Sequence, residues 1–196
     1  MKTGNENSWI MTATDLNFCV GLMGRRGWSD CPVASTERTL QQQMIDSMMR
    51  LEQADLAGWE NGQWTLKEDV IPCMQCIAWA ESTYRIYSSI VPAWFLYCKG
   101  NHTVRLAQIP TEVQNYRVTD MSEMAVVTII SDFIRRENER EQNLQSEIHV
   151  YVDDGRIQKF SCFCKNGELL ISPCEGEEMI FSEEQVNAIL SREVSE

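Results

Sequence analysis

The sequence predicts an α+β fold: a central antiparallel sheet built from hairpins and meanders, with helices packed on one face and at the ends. Three observations predict it. Apart from one short hairpin, strand patterning falls in two strand-rich blocks, residues 82–118 and 147–181, and every connection inside them is hairpin-like. The helical patterns lie before, between and after those blocks instead of alternating with single strands, which is the order of an α+β chain and not of a parallel α/β one. The chain has 196 residues, of which 43% are apolar and 23% charged, enough to bury a core without a metal or a disulfide. The expected organisation is one domain over 1–196. It comprises a flexible N-terminus (1–9), a mainly helical part with a small hairpin (10–81), strands (82–118), a helix (119–146), a meander (147–181) and a terminal helix (182–196).

The first helix opens at Thr12, a capping residue, with Asp15 at the third helical position and Met11 and Leu16 at staple spacing. Leu16, Cys19, Val20 and Met23 then form one apolar stripe, and Gly24 ends the helix. Residues 24–34 read as a loop. A second helix is expected from Ser35 or Thr36, with Leu40, Met44, Met48 and Leu51 on one face and Ile45 and Met49 widening it. Trp59, the turn Glu60-Asn61-Gly62 and Trp64 predict a short hairpin, because Asn-Gly accepts positive φ at both central positions. Thr65 and Glu68 have capping-box spacing for a third helix, within which Pro72 should produce a kink or a restart.

Tyr84 to Tyr87 is rich in strand formers. Ala93 to Cys98 and Thr103 to Ile109 flank Lys99-Gly100-Asn101-His102, a hairpin tip, and Asn115 to Val118 adds a further strand. Thr119 and Asp120, with Glu123 at capping-box spacing, predict the start of a fourth helix whose apolar face is Val126, Val127, Ile130, Phe133 and Ile134. Arg135 to Ser146 is almost wholly polar and reads as a solvated extension or loop. Ile148, Val150 and Val152 alternate along a strand. Asp153-Asp154-Gly155 and Lys165-Asn166-Gly167 turn the chain, Met179 to Phe181 adds a strand, and Ser182 and Gln185 cap a last helix with Val186, Ile189 and Leu190 on one side.

Charge and composition exclude several function classes. Lys and Arg number 17 against 29 Asp and Glu, a net charge of −12, which disfavours phosphate backbones and anionic membranes. The order helix–helix–hairpin–helix invites a winged-helix reading, but the candidate recognition helix, Leu66 to Ala80, has no basic stripe, so no nucleic-acid partner is expected. The most apolar window, Ile90 to Cys98, is far too short to cross a bilayer and contains Pro92, and Met1 to Ser8 shows no signal peptide. A cytoplasmic protein without membrane insertion is expected.

No catalytic set emerges. Phosphate-binding, dinucleotide-binding, metalloprotease and serine-hydrolase motifs are missing from the sequence. His102 sits at a hairpin tip, and His149 points away from its apolar neighbours Ile148 and Val150. Eight cysteines include Cys73-Met74-Gln75-Cys76, with redox or zinc spacing, and Cys162-Phe163-Cys164, which places two thiols on one strand face. With Cys174 these raise the possibility of a four-sulfur zinc site. The first pair lies inside an apolar helical run without the surroundings that lower a thiol pKa, and neither pair sits on a glycine-rich knuckle. Small buried hydrophobes are the expected reading, with no metal and no cofactor. Six Trp and ten Met offer interface material, with Trp28 and Trp59 flanking predicted loops. Lys99, Asn101 and His102, polar between apolar strands, are the candidate partner contacts.

Three stretches carry a resemblance: MTATDLNFCVGLMG, then MIDSMMRLEQADLAGWENGQWTLKEDVIPCMQCIAWAESTYRIYSS, then FLYCKGNHTVRLAQI. Over about residues 10–110 the chain resembles the EspG-like chaperones of type VII (ESX) secretion, in particular their small relatives encoded beside type VII secretion genes in Firmicutes. The resemblance implies a central antiparallel sheet flanked by helices. It also implies a non-enzymatic chaperone or adaptor that holds a helical secreted substrate soluble and delivers it to the membrane machine. The alternatives are an immunity protein binding a cognate basic toxin, to which an acidic chain is suited, and an enzyme with a polar pocket near His149 or Cys164.

Overall fold

The computed structural model describes residues 8–25, 39–88, 93–109, 115–141, 147–153, 157–174 and 176–191. The fold is α+β, and every strand pairing whose register is resolved is antiparallel. The chain divides into two compact units, one of residues 1–83 and 95–122, the other of residues 84–94 and 123–196.

The first unit opens with β1 (Ser8–Thr12) and α1 (Ala13–Leu22), followed by α2 (Leu40–Gln53), the hairpin β2 (Ala57–Glu60) and β3 (Gln63–Leu66), and α3 (Ile71–Ala78). Its sheet is completed by β5 (Trp94–Lys99), β6 (His102–Gln108) and β7 (Asn115–Asp120), in the order β1-β7-β6-β5. Thr12 caps α1 as its sequence predicts: its hydroxyl accepts from the Asp15 N–H at 3.1 Å while the Asp15 carboxylate accepts from the Thr12 N–H at 2.9 Å. Met11 and Leu16, the staple pair, are both buried. The β2–β3 turn is also as expected. Asn61 and Gly62 both have positive φ, 50° and 81°, which lets a two-residue turn follow the twist of its strands and sets Trp59 opposite Trp64. Leu16, Cys19 and Val20 of α1 and Cys73, Met74, Cys76 and Ile77 of α3 share one core with Tyr97, Val104, Leu106 and Val118 of the sheet.

The second unit contains most of β4 (Ser82–Tyr87), then α4 (Val126–Arg140), β8 (Ile148–Asp153), β9 (Ile157–Lys165), β10 (Glu168–Pro173), β11 (Met179–Ile180) and α5 (Glu183–Leu190), with its strands in the order β4-β8-β9-β10-β11. Ile148, Val150 and Val152 are buried, as their alternation predicts, together with Phe160, Cys162 and Ile171. Ile129, Ile130, Phe133 and Ile134 are the buried face of α4, with the Phe133 ring 4.3 Å from that of Trp94. Ser182 caps α5, accepting from the Gln185 N–H at 3.2 Å, and Val186 and Ile189 are buried.

Four local expectations are corrected. Ser8 and Trp9, expected in a flexible terminus, begin β1 and pair with Thr119 and Val118. Thr119 and Asp120 do not open a helix. They end β7, held between β1 and β6 by pairings that a capping-box pattern cannot compete with, and α4 starts only at Val126 after Ala125. Thr65 does not cap α3 either. It lies in β3, where its hydroxyl donates to the Gly58 carbonyl, and Val70 precedes the helix without a side-chain cap. Pro72 lies in the first turn of α3, where its missing N–H has no intrahelical partner to lose, so it starts the helix instead of kinking it. The expected helix start at Ser35 or Thr36, the 24–34 loop beyond Arg25 and the Asp154-Gly155 part of the third turn fall outside the described residues. Within them α2 begins at Leu40, capped by Thr39, whose hydroxyl accepts from the Gln42 N–H at 3.3 Å.

Candidate functional site

Helix α2 departs most from the usual pairing of apolar stripe and core. Its stripe runs Leu51, Met48, Met44, Leu40, one residue per turn toward the N-terminus. Leu51 is 2% exposed and Met48 half-buried, but Met44 is 41% and Leu40 73% exposed. Ile45 and Met49, which widen the stripe, are exposed as well. Burying a Leu or Met side chain fully stabilises a fold by about 1.5–3 kcal/mol, so Leu51 holds α2 down while its first turns leave that stabilisation unused. The base of α2 is fixed by charge. The Arg50 guanidinium reaches the buried Asp15 carboxylate at 2.7 Å and also donates to Ser47 Oγ at 3.1 Å.

Beside the exposed stripe lies a groove of about 610 Å³. Its walls are Phe18, Gly21, Leu22 and Met23 at the end of α1, Met44 and Met48 of α2, and Trp64 and Leu66 of β3, with Ile71 at the start of α3. The Phe18 and Trp64 rings meet edge to face at 6.3 Å, and Trp59, 60% exposed, meets Trp64 in the same way at 6.2 Å. The lining is apolar apart from Gln63 and Thr65 and contains no charged residue. Such a surface can bind an apolar side chain of another polypeptide, and it presents no acid, base or nucleophile to a substrate.

The three residues singled out in the sequence, Lys99, Asn101 and His102, are brought together elsewhere in the first unit. They line a second cleft of about 470 Å³ with Pro72, Gln75, Cys76, Glu81 and Gly100. The Glu81 carboxylate accepts from the Gly100 N–H at 3.1 Å, tying the hairpin tip to the start of β4. His102 Nδ1 is 3.3 Å from Ser122 Oγ, which also accepts from the Thr103 N–H at 3.3 Å and donates its only proton to Asp120. Since that proton is committed, Nδ1 of a neutral His102 must be the donor, which leaves the lone pair on Nε2.

Burial favours the protonated form of the core thiols. Burial pushes Cys73 and Cys76 up to about 12, reinforced by nearby Asp120 for Cys73 and by Cys98 for Cys76. The Cys76 thiol donates to the Tyr97 carbonyl at 3.1 Å. Burial pushes Cys162 well above the ordinary thiol range, while Cys164 is only half-buried and Cys174 exposed. Among the described residues, no group of three or more His, Cys, Asp or Glu side chains is placed to hold a metal ion. His149 is half-exposed on the face opposite Ile148 and Val150, its Nδ1 2.9 Å from Ser161 Oγ and its ring 5.3 Å from that of Tyr87. Among the described residues no helix is long and apolar enough to cross a membrane.

Sequence reasoning did not single out the groove. Its one sequence signal is Gly21, a glycine inside a predicted helix whose neighbours Leu16, Cys19, Val20 and Met23 are otherwise regular. A comparison with protein-family models and with curated proteins finds no match to this chain.

Proposed function

We propose that this protein is a non-enzymatic adaptor or chaperone, acting in the cytoplasm, that holds a helical polypeptide. The observation that carries the reading is the apolar stripe of α2, which leaves the core at Met44 and Leu40 and continues beside an uncharged groove. Exposed contiguous apolar surface of this kind marks a protein interaction site or a ligand-binding groove. The protonated, buried thiols of Cys73 and Cys76 supply no nucleophile to compete with it. The resemblance to EspG-like chaperones makes a helical substrate of type VII secretion the partner of choice.

Co-expression with the helical products of neighbouring genes tests this. A partner should copurify with the wild-type protein and stay soluble in its presence. Met44→Asp, which places a charge on the exposed stripe, should abolish copurification without loss of folding. If no such product copurifies or gains solubility, the reading fails. The net charge of −12 favours one second reading, an immunity protein for a basic toxin. A toxicity-rescue assay separates the two, since only an immunity protein blocks the toxin's activity.

A further inference from the structure

We infer that β1 is a self-pairing edge: Ser8 and Ile10 of one copy pair antiparallel with Ile10 and Ser8 of a second copy, and Trp9 meets its own counterpart across the twofold axis. The inference stands apart from the adaptor reading and concerns a different surface of the first unit.

The direction of the backbone groups in β1 carries it. The Ile109 N–H donates to the Asn115 carbonyl at 2.9 Å, and the Met121 N–H to the Thr103 carbonyl at 2.8 Å. Hydrogen-bonded and non-hydrogen-bonded pairs alternate along an antiparallel ladder, so Asn115, Arg117 and Thr119 turn their N–H and C=O groups to β6. Tyr116 and Val118 turn theirs the other way, to their partners Met11 and Trp9 in β1. Met11 and Trp9 therefore complete the ladder to β7, and the N–H and C=O groups of Ser8 and Ile10 point away from the sheet. Thr12 fits this alternation: its N–H goes to the Asp15 carboxylate instead of to β7. As the cap of α1 it also gives its carbonyl to the helix, which ends the edge. β1 is the outermost strand, and among the described residues nothing pairs with its outer side. Ser8 and Ile10 are both exposed, Ile10 by 59%.

A row of outward N–H and C=O groups is matched by another strand, and natural edges are commonly blocked by a charge, a proline or a bulge. Ser8-Trp9-Ile10-Met11-Thr12 carries no charge and no proline, and its register with β7 is unbroken. Its two outward residues make the edge self-complementary. With Ser8 opposite Ile10 of a second copy, all four outward groups of each copy are paired. Placing Ile10 opposite Ile10 would instead set Ser8 against Thr12, whose groups are already engaged. The first register also puts Trp9 opposite Trp9 in a non-hydrogen-bonded pair, where side chains come closest and aromatic pairs stabilise the ladder. Local charge does not oppose it. Arg117 is the one charged residue of β7 in register with β1, and the strands bearing the two copies of Arg117 lie three strand spacings apart, about 14 Å. That exceeds the Debye length of about 8 Å at physiological ionic strength.

The test uses the full chain at physiological salt. Sedimentation equilibrium over a concentration series should show the mass doubling at the upper end and returning to the monomer on dilution. Ile10→Pro deletes an outward N–H and leaves the bonds between β1 and β7 in place. It should weaken dimerisation about tenfold or more, with Tm near that of the wild type. Should Ile10→Pro fail to fold, amide exchange of the wild type decides. The Trp9 and Met11 amides should be protected at every concentration, and those of Ser8 and Ile10 only where the dimer is populated.

A monomer at all concentrations, a dimer unchanged by folded Ile10→Pro, or a dimer whose Ser8 and Ile10 amides exchange freely would each overturn the inference. A monomeric wild type in which those two amides become protected only with a copurifying partner would also overturn it, and would give the edge to that partner.

Discussion

Asp15 serves two masters: its carboxylate accepts from the Thr12 N–H at 2.9 Å to close the N-terminal cap of α1, and receives the Arg50 guanidinium of α2 at 2.7 Å. The carboxylate is buried, with a side chain 5% exposed, while Arg50 keeps 43% of its side chain in water. One residue thus starts α1 and fastens the base of α2 to it, which is why α2 stays in place although its first turns bury little.

Replacing that residue should separate the two roles. Asp15→Ala loses cap and ion pair together and should destabilise the protein by about 1–3 kcal/mol, the pair being discounted for the exposure of Arg50. Asp15→Asn keeps a cap acceptor and should cost roughly half as much. Urea unfolding midpoints at constant m-value decide it. Equal losses for the two variants would show that the cap contributes nothing.

The thiols set an alkaline limit to stability. Cys19, Cys73 and Cys76 are raised by burial from 9.0 to about 12, so the folded protein retains protons that the unfolded chain releases above pH 9. The folded state then binds more protons than the unfolded one, and stability falls as pH rises from about 9 towards 12, by up to about 1.4 kcal/mol per pH unit for each thiol. Below pH 9 these groups leave stability unchanged. Urea midpoints between pH 7 and 10.5 should be flat and then decline, and Cys73→Ala should shallow the decline. At pH 8 exposed Cys174 should react with a thiol reagent well before these three. Rapid labelling of Cys76 in the folded protein would contradict its burial.

The His102–Ser122–Asp120 chain predicts a tautomer. With the Ser122 proton given to Asp120, neutral His102 should carry its proton on Nδ1. Long-range proton–nitrogen NMR spectra above the titration of the ring should show Nδ1–H as the dominant form. Ser122→Ala should shift the balance towards Nε2–H. A wild-type spectrum dominated by Nε2–H would mean that Ser122 donates to the ring instead of to Asp120.

The legible parts of this chain are those determined within a few residues. Thr12 with Asp15, Ser182 with Gln185, Asn61-Gly62 and Asn166-Gly167 act through one side chain or one permitted φ, and all are found where the sequence puts them. Thr65–Glu68 and Asp120–Glu123 have the same local form yet cap nothing. Thr65 is taken up by the β2–β3 pairing, and Asp120 by strands whose partners lie far along the chain. The candidate residues Lys99, Asn101 and His102 were visible as a hairpin tip, but the Gln75 and Glu81 side chains that join them in a cleft come from elements that only packing brings near.

Composition, turns, caps and alternation by themselves determined an acidic α+β chain of antiparallel strands, because each is set by short-range sterics or by the charge count. The tertiary structure alone decided which apolar stripes are core. An amphipathic helix records only that one face avoids water. Whether Met44 and Leu40 meet this protein's own interior or remain open beside Gly21 depends on how far α1 and β3 extend beneath them, and no local pattern encodes that.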